Sequence, residues 1–307
     1  MAKATVNKAP ITLFTYDRLE HTIKTVEALL QNLLVEDHDL IVFSDAARVP
    51  EKQIAVDEVR DYLMTISGFH STTIHLRSHN FGLAKSIIEG VTQVLAEHDS
   101  IIVLEDDMIT SPYFLTYIND SLSRYANNDR VISIHGYCYP VHQSLPEAFF
   151  LRGADCWGWA TWRRGWELFN PNGQYLLDEL EHKKFIKEFD YNNTFPFSNM
   201  LKEQINGKND SWAIRWYASA FLADKLTLYP GRSLVRNIGN DSSGTHCGKD
   251  GSYDVCLSPN PIDLSLVEVI PSIVGRSAFE KFFKKNQASL AGKIGRRFAR
   301  IIKKVGL

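Results

Sequence analysis

Three consecutive carboxylates, Glu105, Asp106 and Asp107, follow directly on the apolar run Ile101-Ile102-Val103-Leu104. The apolar run reads as a buried strand, and Ser111-Pro112 opens a helical pattern through Tyr113, Phe114, Tyr117 and Ile118, so the acids fall at the carboxyl end of a strand. In an open α/β sheet that edge is where ligands bind. Adjacent carboxylates repel one another unless hydrogen bonds, a cation or shifted protonation compensates them. A hard divalent cation, Mg²⁺ or Mn²⁺, is the simplest compensation. Such ions bind through one or two carboxylates and complete their shell with water and substrate phosphates. The alternative is that Glu105 and Asp106 are solvated loop charges and Asp107 caps the next helix.

The elements that must position these acids alternate along the first half of the chain. Strands are predicted at 11–16, 39–45, 71–78 and 100–106, and helices at 19–34, 51–66 and 83–96, a pattern that implies an α/β fold with a doubly wound, mostly parallel sheet. There is no G-x-G-x-x-G after the first strand and no G-x-x-x-x-G-K-[ST] anywhere. A dinucleotide oxidoreductase and a P-loop enzyme therefore lose their main support.

The 307 residues, 44% hydrophobic and 23% charged, are those of an ordinary globular protein. No apolar run reaches bilayer-spanning length and the first residues lack a secretory core, so a cytoplasmic location is expected. Cys138, Cys156, Cys247 and Cys256 form no C-x-x-C pair and are read as free thiols, with Cys247 and Cys256 the one pair that could approach.

The second half is aromatic-rich. CWGWATWRRGWELF (156–169) places Trp157, Trp159, Trp162 and Trp166 close together, and NDSWAIRWYASAFLADKLTLYP (209–230) adds Trp212 and Trp216. Tryptophan offers a flat apolar face with a polar edge, suited to a sugar ring, and it also builds cores. Taken in order, the acidic triplet, WGWATW, NDSWAIRW and RNIGNDSSGTH resemble the GT-A-fold glycosyltransferases, particularly those similar to N-acetylglucosaminyltransferase I, which carry an EDD version of the DxD motif. The resemblance covers roughly residues 9–250.

It implies an inverting, metal-dependent transferase that moves a sugar from a nucleotide donor, with a lean to UDP, onto a glycan or lipid-linked acceptor. It implies that Asp107 coordinates the metal bridging the donor diphosphate. Glu105 and Asp106 would hold the sugar and ribose side, Asp45 would face the base, and Arg77 would lie near the nucleotide. Asp210 is implied as the base that removes the acceptor proton, with helix capping as its alternative role, and Asp155 is the second candidate for the base. Trp157, Trp159 and Trp212 are the expected acceptor contacts. His246, in GNDSSGTHCG (239–248), is a metal-ligand or phosphate-contact candidate. The implied division is a nucleotide-binding half at about 9–130 and an acceptor-binding half at about 131–275. The competing readings are a sugar-nucleotide nucleotidyltransferase, which would normally show a Gly-rich, Arg-containing loop where this chain has FTYDRLEHT (14–22), and a noncatalytic carbohydrate-binding scaffold.

Nine of the 34 Lys and Arg residues fall between Lys281 and Leu307, with no acid among them, although the whole chain carries a net charge of −2. From Leu290 at roughly 100° per residue, Leu290, Ile294, Phe298, Ile301, Ile302 and Val305 share an arc of about 120°, and six cations take the opposite side. Residues 276–307 are thus expected to form a basic amphipathic tail. Residues 281–307 would meet an anionic membrane and hold the enzyme at the inner face of the plasma membrane, the alternative being that the apolar stripe docks on the parent domain or a partner with the basic face solvated. Nucleic acid is not an expected partner.

Overall fold

The computed structural model describes residues 8–239 and 251–287. It shows the α/β architecture expected: one eight-stranded sheet, mostly parallel, with helices on both faces. Ten strands occur in chain order: β1 Ile11–Thr15, β2 Asp39–Ser44, β3 Ser71–Leu76, β4 Ser100–Glu105, β5 Met108–Thr110, β6 Val131–His135, β7 Ala148–Arg152, β8 Trp159–Trp162, β9 Leu226–Pro230 and β10 Val235–Asn237. The large sheet has the order β3-β2-β1-β4-β8-β6-β9-β7, and β5 pairs with β10 in a small ribbon. β1 to β4, β6 and β9 run one way; β7 and β8 run the other.

Helices on both faces explain why the strands read as continuous apolar runs. Ile11, Leu13, Leu40, Val42, Ile102 and Leu104 face one core, packed by Val26, Leu29, Val59, Leu63, Phe114 and Ile118 from helices Leu19–Leu30, Gln53–Leu63 and Phe114–Arg124. The alternate residues Phe14, Phe43, Ile101 and Val103 face a second core built on helices Leu83–Glu97 and Trp212–Leu222. Four tryptophans, Trp159, Trp166, Trp212 and Trp216, stack there, with Trp159 and Trp212 ring centres 5.4 Å apart. The clustered tryptophans are chiefly a core.

Two sequence expectations change. The short ribbon β5–β10 was not foreseen, because three residues carry too little periodicity to register. Residues 273–287 are helical and continue the body rather than begin a separate tail: Ala278, Phe279, Phe282 and Phe283 are buried in a third core with Phe149, Tyr191 and Tyr229. The arc counted from Leu290 could not detect the apolar face upstream of it. The remainder of the basic tail, 288–307, lies outside the described residues.

Trp216 is fully buried against Trp159, Trp166 and Phe169. Trp216→Ala is expected to lower unfolding free energy by about 3–5 kcal/mol through cavity formation. Urea denaturation checks this, and a loss below about 1 kcal/mol would show that the stack is not a packing unit.

Candidate active site

The carboxyl edge of the parallel strands gathers the polar residues. β1 is flanked by β2 on one side and β4 on the other, so the chain changes winding direction between β1 and β4, which opens a crevice at that edge. Tyr16-Asp17-Arg18 leaves β1 there and Asp106-Asp107 leaves β4. Across the crevice Arg18 Nη2 donates to Asp106 Oδ1 and, at 2.8 Å, to Asp107 Oδ2. Asp106 and Asp107 are nearly buried, at 4% and 6% exposure. Their repulsion is offset by one guanidinium.

Burial alone would lower the Arg18 pKa, but the charges of Asp106 and Asp107 outweigh it and raise it, so Arg18 is a permanent cation. Burial pushes Asp106 upward, as does Asp107, while Arg18 opposes the rise. Glu105 is raised by burial and by the charges of Asp107 and Asp106, with Arg18 opposing the rise.

Asp107 Oδ1 is buried and has no hydrogen-bond partner among the described residues. A hard cation at that oxygen would supply the missing partner, so the acids fit a divalent ion. No group of three or more His, Cys, Asp or Glu among the described residues could enclose a metal. A bound ion would therefore take most of its shell from water and a ligand's phosphates. β5 and β10 fix the acid from behind: Ile238 N donates to Asp107 O at 2.9 Å, and a Cβ on Gly239 would lie 2.1 Å from Asp107 Oδ2. Only glycine allows the backbone so close. Residues 240–250 follow directly, and His246 lies outside the described residues, as does Cys247.

The other expected donor contacts lie along the same edge. Asp45, at the end of β2, accepts from Ala46 N, Asn80 Nδ2, Phe81 N and Gly82 N. Its carboxylate is consumed in holding the 80–82 turn onto β2, where Gly82 takes a φ of +73° before helix Leu83–Glu97. Arg77, just after β3, stacks its guanidinium 4.4 Å from the Phe81 ring centre and 5.0 Å from that of Phe43. Its Nε and Nη2 are buried without partners among the described residues.

On the opposite side of β4, the chain entering β8 brings Asp155, Cys156 and Trp157 to the edge. Asp155 Oδ1 accepts from Cys156 N at 2.8 Å, and Oδ2 accepts from the Tyr139 and Tyr229 hydroxyls at 3.3 and 3.4 Å. His135 Nε2 stands 3.6 Å from the same oxygen, and burial holds its pKa down, so the imidazole is neutral. Burial, then the charges of Asp155, Glu105 and Asp107, keeps the Cys156 thiol protonated. Trp157 is half-buried, edge-on to Tyr137 with centres 4.7 Å apart.

Trp159 and Trp212, expected at the acceptor, are instead 1% and 3% exposed within the stack. Their apolar faces are spent on the core, which leaves Trp157 as the accessible member. Asp210 is 70% exposed, with Oδ1 3.7 Å from Arg215 Nη2. It does not cap the following helix; Ser211 does, accepting from Ile214 N at 3.2 Å. Trp212 stacks on Trp159, which pairs with Val103 two residues before Glu105, so the start of this helix sits at the same sheet edge as the acids. Sequence reasoning missed Arg18, Gly239, His135 and the two tyrosines. The signal for Arg18 was an arginine immediately after the first strand, whose meaning depends on β1 and β4 being neighbours.

No protein-family model matches the chain, and no curated protein matches it. Among solved structures, the mannosyltransferase PcManGT from Pyrobaculum calidifontis, in complex with GDP-Man and Mn²⁺, is similar at 10% identity over 43% of this chain and 36% of that one, with a TM-score of 0.29. S. aureus TarS is similar at 14% identity over 48% of this chain and 24% of that one, with a TM-score of 0.31. The chain thus spans well under half of the length of either structure.

Because Glu105 holds its proton to higher pH in the folded state, the folded chain binds more protons than the unfolded one above the ordinary carboxylate range. Stability due to this group therefore falls as pH rises from about 4 through neutrality. The metal-free parent should lose stability relative to Glu105→Gln across that window. Parallel unfolding curves at every pH would contradict the placement of Glu105 beside two further acids.

Proposed function

We propose that the protein is a metal-dependent inverting glycosyltransferase of GT-A type that uses a nucleotide-sugar donor. The observation that supports the reading is the buried Asp106–Asp107 pair at the β1–β4 crevice, held by Arg18 while Asp107 Oδ1 has no partner among the described residues. With strands about 4.8 Å apart, the three spacings from β4 to β3 put Arg77 roughly 14 Å from the acids. A ligand that reaches both must be extended, with an anionic group at one end and a hydrogen-bonding group at the other. A nucleoside diphosphate has that form.

A divalent ion at Asp107, Mn²⁺ or Mg²⁺, would offset the charge that develops on the departing diphosphate. Asp107 would hold the ion, and Asp106 and Glu105 would orient the ribose and sugar. Arg18, released from the acids as the ion binds, would remain at the crevice as a cation for the phosphates. The unspent Arg77 donors would take the distal end of the nucleotide, and Asp45 would shape the turn beneath it. Asp210 would accept the proton of the acceptor hydroxyl as that oxygen attacks the anomeric carbon opposite the diphosphate. Its exposure and freedom from any capping duty favour it over Asp155, whose oxygens already accept three hydrogen bonds. Trp157 would offer the acceptor an apolar face. The same reading assigns the basic C-terminal residues 281–307 to an anionic membrane surface, where a lipid-linked acceptor in surface polysaccharide synthesis would be found. His246 would contact the diphosphate or the metal.

A thermal-shift screen of UDP- and GDP-sugars with Mn²⁺ identifies the donor, since ligands that bind the native state raise its apparent stability. Asp107→Ala is expected to abolish divalent-dependent nucleotide binding in a folded protein; equal affinity with and without Mn²⁺ in parent and variant would remove the metal assignment.

Asp210→Asn should keep donor affinity while slowing transfer by about 10²-fold or more. Near-parental turnover would exclude Asp210 as the base, and a product anomer matching that of the donor would exclude inversion. Release of pyrophosphate instead of nucleoside diphosphate would identify a nucleotidyltransferase.

A further inference from the structure

The segment just before the C-terminal helix carries an unusual concentration of exposed apolar side chains. Leu266, Ile270, Ile273 and Val274 are 93%, 55%, 86% and 43% exposed, all within nine residues of chain. The segment is nonetheless firmly placed. Val267 and Val269 pack on the core, Ser272 N donates to Phe150 O at 2.8 Å, and Pro271 bridges to Phe150 on the edge strand β7. The outward residues are therefore presented by a fixed backbone.

Cations reach this segment from two sides. Arg124 and Arg130 reach the segment from the body, donating to Ser265 O and Val269 O at 3.4 and 2.9 Å. On the helical residues 273–287, the inward side is Phe279, Phe282 and Phe283, and the exposed side carries Ile273, Val274, Lys281, Lys284 and Lys285. At about 100° per residue those five side chains share an arc of roughly 120°. The acids nearby are Asp120, beside Arg124, Asp263, bonded to Ser265, and Glu268; Glu280 is paired with Arg276.

We infer that Leu266, Ile270, Ile273 and Val274 form an insertion patch for an anionic lipid surface, with Lys281, Lys284 and Lys285 set over its headgroups. This deepens, and rests on, the reading of the enzyme as membrane-associated. It moves part of the contact from the basic tail onto the folded body and turns the β7 edge of the sheet, around which the segment passes from one core to the other, toward the lipid. A face with apolar residues beside cations of one sign suits that interface. A second copy of the chain is a poorer occupant, because a two-fold contact through this face would set lysines against lysines. The six further Lys and Arg residues at 293–304 add the same sign.

The test is sedimentation of the full chain with phosphatidylcholine vesicles, with and without about 30% phosphatidylglycerol, at low and high salt. The parent should pellet with the anionic vesicles only, and Ile273→Leu should match it. Leu266→Ser/Ile273→Ser, with an unchanged unfolding curve, should bind at least about fivefold more weakly because two apolar anchors are lost. If the parent pellets and the double variant equals it, the tail is the anchor and the patch proposal fails. If the parent does not pellet at all, the membrane reading itself fails. A change from dimer to monomer in the double variant without vesicles would assign the patch to a contact between copies and overturn the proposal.

Discussion

Two adjacent aspartates can be buried at a sheet edge only if something cancels their charge, and most of the local architecture around the crevice serves that requirement. Arg18 spans from the end of β1 to the end of β4 to do it. The contact depends on β1 and β4 being neighbours, and on helix Leu19–Leu30 starting one residue after Arg18. It also depends on β5 turning away at Met108 to pair with β10, which brings Gly239 against Asp107. A permanent guanidinium gives the acids a resting partner, yet one carboxylate oxygen remains unmatched. A second cation at that oxygen would complete the compensation that Arg18 begins.

The rest of the edge is arranged in proportion to its distance from that pair. Toward β3, Asp45 is spent on building a turn while Arg77 keeps its donors, so binding capacity lies in the outermost strand and rigidity in the one beside it. Toward β8, Asp155 is locked by two tyrosine hydroxyls and a backbone amide, whereas Asp210 stands exposed on the start of a helix whose cap is a serine. Both oxygens of Asp155 are thus held, while Asp210 keeps only the 3.7 Å approach of Arg215. The stack of Trp159, Trp166, Trp212 and Trp216 anchors that helix to the sheet, so aromatic packing positions the candidate base without touching a ligand.

Much of this was legible in the sequence. The alternation of elements from Ile11 to Glu105 was clear because β1, β2 and β4, buried in the middle of the sheet, read as largely apolar runs, whereas the edge strand β3 showed itself by its β-branched residues, and the acids at the end of the fourth strand stood out against the apolar run before them. What could not be read depended on long-range pairing. Arg18 is 88 residues from Asp106, and its partner is set by strand order. Trp157 and Trp159 are two residues apart and look alike in sequence, but Trp159 belongs to a strand buried on both faces while Trp157 precedes it. The apolar face of residues 273–287 was hidden by the lysines that interrupt it.

The most direct test of the account is anomalous diffraction from crystals of the full chain grown with Mn²⁺ and a nucleoside diphosphate. The expected result is a manganese peak beside Asp107 Oδ1, with Arg18 withdrawn from at least one of the two aspartates. A bound nucleotide with no manganese at Asp107 and both Arg18 contacts intact would contradict it.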